Sequence, residues 1–335
     1  MRFGTELILL LVGTGLVSAA LVAVLHPLLV RYALARPNAR SAHKEPTPQG
    51  AGIAVIGATA LAVAAFALLA PGQLYEPLRL AVIFACTIAL AVVGVTDDIR
   101  PLEALPRLVL QLIAVGILIA ALPAELRLIP ALPWWLERAC VLIGGVWFVN
   151  LTNFMDGIDW MTVAEMVPLT ATLTAFGLAG ALPDDGTVVA VALCGAMLGF
   201  APFNRPVARV FLGDVGSLPI GFLLTWLLVL LASRHLAAAA LLPLYYAADA
   251  TVTLLRRLMK GERITQAHRS HFYQRAVDNG FGVMEIVGRV FTLNVALALL
   301  AGATLLTPSL LAHVAAVTVG CLLVGFTLYR FAQKR

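Results

Sequence analysis

Apolar residues run in blocks of about twenty, separated by short polar stretches, and a helix crossing a bilayer needs ~20 mostly apolar residues. The blocks fall at 5–29, 51–70, 78–96, 107–123, 138–154, 160–182, 187–203, 216–233, 236–255, 283–305 and 309–328. They predict about eleven transmembrane helices. The stretch 121–138 (ALPAELRLIPALPWWLER) is broken by prolines and leaves room for one short interfacial helix, with Trp134 and Trp135 suited to the headgroup level. The first block is too long for a signal-peptide core and lacks a clear small-residue cleavage site, so it reads as a retained span. No repeat, linker or soluble segment stands out. The expectation is one all-α polytopic membrane domain over 1–335.

Composition agrees with this. The chain is 61% hydrophobic and 12% charged, against ~25% charged in an average soluble domain. That excludes a soluble globular enzyme, a disordered chain and a nucleic-acid binder. Cys86, Cys140, Cys194 and Cys321 lie in apolar stretches without metal-ligand spacing and read as small hydrophobes.

The excess of 23 Lys+Arg over 18 Asp+Glu bears on orientation. Loops 31–50, 97–107, 203–214 and 256–282 and the tail 329–335 hold most of the basic residues. The opposite loops have only Arg2, Arg79, Arg127, Arg138 and Arg234. The rich side is expected in the cytoplasm, with the N-terminus outside and the C-terminus inside, which requires an odd number of spans.

The residues capable of chemistry crowd that same face. Asp97 and Asp98 end the third span. Adjacent acids at a helix C-terminus oppose the macrodipole and repel each other, so a divalent cation or basic groups should offset the cost. The alternative is a solvated loop partnered by Arg100 and Arg107. Asn153, Asp156 and Asp159, in NFMDGID, share one helical face if the helix continues. Their oxygens suit Mg²⁺ or a nucleotide; helix capping is the rival reading. Asp214, in FLGDVGSLPIG, either caps a helix or presents a carboxylate beside free N–H groups to a phosphate-bound metal.

The loop RRLMKGERITQAHRSHFYQR carries cations with His268 and His271, which suits a diphosphate or a phospholipid headgroup. The positive-inside bias explains its Lys and Arg equally well, though not its histidines. Asp249, inside the ninth block, is a functional candidate as an intramembrane acid, with Arg256 or Arg257 as the milder structural partner. Glu165, Glu285 and Arg289 read as helix–helix or snorkelling groups.

Taken together, the motifs resemble the polyprenyl-phosphate N-acetylhexosamine-1-phosphate transferases, glycosyltransferase family 4. The resemblance runs in order through RPNARSAHKEPTPQGAG (36–52), DDIRPL (97–102), NFMDGID (153–159), FLGDVGSL (211–218), DATVTLLRR (249–257) and AHRSHFYQR (267–275). Each motif alone is weak; six in order at one face are specific. The P-N-x-R-S-x-H-x-x-P-T-P form is closer to the O-antigen-initiating branch than to the peptidoglycan branch.

The resemblance implies transfer of a sugar-1-phosphate from a UDP-sugar to undecaprenyl phosphate, with release of UMP, as the first step of a lipid-linked envelope polysaccharide. It implies Mg²⁺, with Mn²⁺ as a substitute, and a multi-pass protein of the bacterial inner membrane with a cytoplasmic active site. The implied partners are the two substrates, membrane lipid and a second copy in a homodimer, with no nucleic acid. By the same resemblance, Asp97 and Asp98 are the catalytic carboxylates, with Asp97 the base on the lipid phosphate. Asp214, with Asp98, holds the metal. Asn153, Asp156 and Asp159 organise the nucleotide-sugar, and His268, Arg269 and His271 bind diphosphate.

This sequence departs from the family pattern in three places. Gln49 and Ala51 replace a common Arg and Gly, Trp160 stands where Gly is frequent, and HRSH replaces the HHH of the muramoyl-pentapeptide enzymes, which argues against that donor. The rival class is a transporter or flippase. That reading asks for charged groups near the bilayer midplane and broken helices in related halves.

Overall fold

The computed structural model describes residues 4–35, 46–70, 72, 74–262 and 268–335. Residues 36–45, which include most of the first family motif, and 263–267, inside the basic loop, lie outside the described residues. The architecture is helical: α1 (Gly4–Tyr32), α2 (Gly52–Leu69), α3 (Pro77–Ile99), α4 (Ala104–Ala121), α5 (Trp134–Met155), α6 (Met161–Leu178) and α7 (Asp184–Phe200). There follow α8 (Asp214–Ala232), α9 (Leu236–Leu241), α10 (Leu244–Met259), α11 (Phe272–Asp278), α12 (Val283–Leu305) and α13 (Leu310–Ala332). The one strand pairing among the described residues is a two-residue antiparallel ladder, β1 (Leu34–Ala35) with β2 (Thr47–Pro48).

Among the described residues, nine helices are long and apolar enough to cross a membrane. Two expected spans differ. The block 187–203 is α7, only 17 residues long. The block 236–255 is broken: α9 stops at Leu241 and α10 starts at Leu244. Pro243 supplies no N–H at that point, so the helical ladder cannot run through it.

The helices form shells. α8 packs against α2, α3 and α5, and α7 against α1, α2 and α6. The most apolar stretch of α8 is 94% buried, against 17% for that of α13. Outer faces carry exposed leucines, such as Leu306 at 88% and Leu69 at 85%, as expected where lipid is the solvent.

Two close approaches set the centre. A Cβ on Gly94 of α3 would overlap the Asp214 carbonyl, and one on Gly52 of α2 would overlap the backbone of Gly216. Small residues let helix backbones touch, and here they bring α2 and α3 onto the first turn of α8.

Candidate active site

The start of α8 is the hub. Before it, residues 48–52 are strapped to 211–212 by backbone bonds: Phe211 N–H to Pro48 O (2.8 Å), Ala51 N–H to Phe211 O (3.0 Å) and Gly52 N–H to Leu212 O (2.8 Å). Gly213 enters α8 at φ +77°, and a Cβ there would meet Asp98 Oδ2 at 2.6 Å. Only glycine satisfies both conditions.

The adjacent acids at the end of α3 divide their work. Asp98 Oδ1 accepts the Asp214 N–H at 3.0 Å, and Oδ2 accepts the Val215 N–H at 3.2 Å. These are first-turn donors of α8, at the positive end of its dipole. Gln49 Nε2 donates to the Asp98 carbonyl (3.1 Å) and to its Oδ1 (3.3 Å). Asp98 also lines the polar cavity beside Asp214, and each of its carboxylate oxygens keeps a lone pair beyond the one that caps α8. Its neighbour Asp97 accepts the Leu102 N–H at 2.6 Å and pairs with the Arg107 guanidinium. The same Arg107 Nη1 lies 3.4 Å from Asp214 Oδ2. One guanidinium therefore joins Asp97 to Asp214, and the repulsion expected of the acid pair is offset by a helix N-terminus and an arginine.

Asp214 Oδ1 accepts from Asn153 Nδ2 at 2.7 Å, and the same amide reaches Ser217 Oγ at 2.9 Å. Asn153 thus links the end of α5 to the start of α8. Asp156, one residue past α5, accepts from the Thr162 hydroxyl. Burial pushes the Asp156 carboxyl up to about 6, against the Thr162 hydrogen bond and with help from the charges of Asp98 and Asp159. Asp159 Oδ2 accepts the Ala208 N–H at 3.0 Å.

Trp160 has φ +60°, the left-handed conformation that glycine adopts freely. The tryptophan is held there from both ends: Asn204 Oδ1 accepts its backbone N–H (2.8 Å), and the Ala201 carbonyl accepts its indole N–H (2.6 Å). The turn keeps a glycine-like geometry with a bulky residue in it. Asp98, Asn153, Asp156, Asp159, Asn204 and Asp214 line a cavity of about 170 Å³.

The histidine motif docks beside this turn. Asp249, fully buried, accepts the Phe272 N–H (2.9 Å) and the Tyr273 N–H (3.1 Å), and it takes bonds from the Tyr245 and Thr253 hydroxyls, both at 3.3 Å. It holds the start of α11, and its Oδ1 lies 3.4 Å from His271 Nδ1. Neither arginine offered as its partner binds it: Arg257 pairs with Glu262 at 2.8 Å, and Arg256 lies over the Phe272 ring.

The His271 ring stacks on Phe154 and on Tyr273, with His268 4.8 Å away centroid to centroid. The Tyr273 hydroxyl donates to the Phe154 carbonyl at 3.0 Å, and a Cβ on Gly157 would collide with it. His268 Nδ1 is 2.8 Å from Ser270 Oγ, and Arg269 pairs with Asp278 at 3.1 Å.

Direct contacts thus bring together residues 49–52, 97–98, 107, 153–162, 204–217 and 271–273 at one end of the bundle. Thr162, Asn204, Ser217 and Tyr273 join the site without any signal that singled them out in the sequence, and Gln49 was visible only as a departure from the family pattern. Arg107 was visible only as a possible partner of the acids.

Among the described residues, no group of three or more His, Cys, Asp or Glu side chains is arranged as a metal site. Mg²⁺, however, commonly uses one or two carboxylates and completes its shell with water and substrate phosphates. Asp98 and Asp214, which both line the cavity, are a donor set of that kind.

Comparison with known proteins places this geometry. The sequence profile of Glycosyl transferase family 4 matches residues 80–232. A probable undecaprenyl-phosphate N-acetylglucosaminyl 1-phosphate transferase of Bacillus subtilis is 24% identical over 319 residues, covering 86% of this chain and 85% of that protein. A phospho-N-acetylmuramoyl-pentapeptide-transferase of a Synechococcus strain is 31% identical over 314 residues, covering 84% and 86%. A decaprenyl-phosphate N-acetylglucosaminephosphotransferase of Mycolicibacterium smegmatis is 31% identical over 217 residues, covering 59% of this chain and 53% of that longer protein. The chain belongs to this superfamily of polyprenyl-phosphate sugar-1-phosphate transferases.

Proposed function

With that membership as the premise, we propose that the protein transfers N-acetylhexosamine-1-phosphate from a UDP-sugar to undecaprenyl phosphate. A phosphate oxygen of the lipid attacks the sugar-linked phosphorus of the donor. The bond from that phosphorus to the bridging oxygen breaks, and UMP leaves with the oxygen. The product is a lipid diphosphate sugar. The relatives' names support the reaction class, and the P-N-x-R-S-x-H-x-x-P-T-P motif favours a role in starting an O-antigen-type polysaccharide. The Lys/Arg-rich loops favour a cytoplasmic site in the inner membrane.

The observation that carries this reading is the chain Asp97–Arg107–Asp214–Asn153, of which Asp214 and Asn153 line a polar cavity. Joining two phosphorylated substrates is mainly a problem of charge neutralisation and alignment. Asp97 is the base that takes the remaining proton of the lipid phosphate. Arg107, between the two carboxylates, is placed to meet the incoming phosphate. Asp214, with Asp98, would hold Mg²⁺, which when bound would neutralise the diphosphate. Asp98 also holds the first turn of α8. Asn153, Asp156 and Asp159 take the nucleotide side, and His268 and His271, packed on Phe154, take the diphosphate.

Release of UMP from UDP-N-acetylglucosamine by the purified protein, dependent on added undecaprenyl phosphate, tests the proposal. Parallel reactions with other UDP-sugars define the donor. No UMP from any UDP-sugar with Mg²⁺ and the lipid both present would refute it.

A further inference from the structure

A second cavity, of about 440 Å³, lies at the opposite end of the bundle. Its Arg79 sits eighteen residues before Asp97 on α3 (79 to 97), about 27 Å along a helix. Asp184, at the start of α7, and Arg234, just beyond α8, border the same space. This reading does not rest on the reaction proposed above.

The cavity has an apolar wall and a charged mouth. Leu80, Leu182, Leu230 and Trp226 form the wall, each at most 7% exposed. Asp185 is committed to the fold: its oxygens accept the N–H groups of Tyr75 (3.0 Å) and Glu76 (3.1 Å) at the entry to α3. Glu76 is paired with Arg79 at 3.4 Å. Asp184 and Arg234 have no ion-pair partner among the described residues. The indole N–H of Trp226 is buried without an acceptor, and a buried donor of that kind calls for one from water or a ligand.

We propose that this cavity binds the headgroup of a zwitterionic phospholipid bearing a primary ammonium, of the phosphatidylethanolamine class. Guanidinium groups are donors matched to phosphate oxygens. Asp184 is an acceptor for the ammonium. A purely anionic headgroup would bring no cation to Asp184. The leucine wall suits the glycerol and the first acyl carbons. A membrane source is favoured over a soluble one because the helix ends at this level expose Leu69, Leu78 and Leu178, at 85%, 78% and 61%, so the mouth opens where lipid lies.

Native mass spectrometry and thermal melting of the full chain in detergent test this. Phosphatidylethanolamine, phosphatidylglycerol, phosphatidylcholine and soluble O-phosphoethanolamine are added separately. The expected result is one tightly retained phosphatidylethanolamine per chain and the largest rise in Tm with that lipid. The double variant R79Q/R234Q should bind it at least about tenfold more weakly for each guanidinium lost. D184N should lose the preference for phosphatidylethanolamine over phosphatidylglycerol. The single variant R234Q serves should the double variant fold poorly, and it should also weaken retention. UMP release at saturating substrates should be unchanged in every variant. Equal retention of the three lipids by the unaltered protein would overturn the proposal. So would unaltered binding in both R79Q/R234Q and R234Q, or an equal Tm shift with soluble O-phosphoethanolamine.

Discussion

Asp98 Oδ1 accepts the backbone N–H of Asp214 at 3.0 Å, across 116 positions of sequence. The bond ties Asp98 to the first turn of α8, while its neighbour Asp97 pairs with Arg107 and is the base in the proposed reaction. Asp97→Asn is therefore expected to cut turnover roughly 10²–10⁴-fold, the range for losing a general base, with little change in Tm. Asp98→Ala is expected to lower stability by about 0.5–2 kcal/mol, as for other lost caps, with activity falling further than the folded fraction because the proposed metal loses a ligand. UMP release and melting, measured on one preparation, separate them. An Asp98→Ala protein that melts normally yet is inactive would contradict the anchoring role.

Arg107 neutralises Asp97 and Asp214 together. Without it the two carboxylates face each other unscreened. Arg107→Gln is expected to lower the Tm most strongly in EDTA, by the equivalent of about 1.5–3 kcal/mol for a lost charged hydrogen bond, and Mg²⁺ should recover part of the loss. Melting curves with and without Mg²⁺ check this. An identical loss under both conditions would argue against a cation site at Asp214.

Metal removal should act on turnover. EDTA is expected to abolish UMP release, and Mg²⁺ or Mn²⁺ to restore it. Asp214→Ala should stay inactive at ordinary Mg²⁺ while melting near the unaltered protein, because Asp98 rather than the Asp214 side chain caps α8. If Asp214→Ala melts early and turns over normally with saturating substrates, its carboxylate serves only the fold.

Trp160 offers a backbone test. A left-handed conformation costs a residue with a Cβ roughly 1–2 kcal/mol, and both small variants lose the indole bond to Ala201. Trp160→Gly should therefore be more stable than Trp160→Ala by about that amount, the reverse of the usual order in helices. Chemical denaturation of the two variants decides it, and an Ala variant at least as stable as Gly would mean the turn relaxes out of φ > 0.

The Asp156 carboxyl is raised to about 6, above the ~3.9 of an unfolded chain. A raised acid penalises the folded state once it ionises. The penalty is absent below about pH 4, grows between ~4 and ~6, and is constant above. Asp156→Asn removes the charge and keeps an acceptor for Thr162. It should raise the Tm at pH 7.5 in EDTA and give no gain near pH 4. A gain independent of pH would show that the charge is not its source.

Much of the fold is legible along the chain because lipid imposes a severe rule. Every backbone polar group in the membrane must be satisfied within its own segment, so each span is a helix written as one apolar block. The block 236–255 misled because apolarity ran through Pro243 while the hydrogen-bond ladder could not. The site motifs were legible as residue types: six polar clusters at the ends of those blocks, five of which the structure describes around one end of the bundle.

By itself, then, the sequence determined which segments are helical, which ends carry the acids, amides and histidines, and what class of chemistry those groups suit. Only the tertiary structure decided their partners. Nothing local separates Asp97 from Asp98, or shows that Asp249 holds the start of α11. Asp98 meets the first N–H groups of α8, and Asp249 those of Phe272 and Tyr273, at distances of about 3 Å, while Asp97 meets Leu102 and Arg107. Gly52 and Gly94 set those distances at the start of α8, where the missing Cβ atoms let backbones from distant parts of the chain touch.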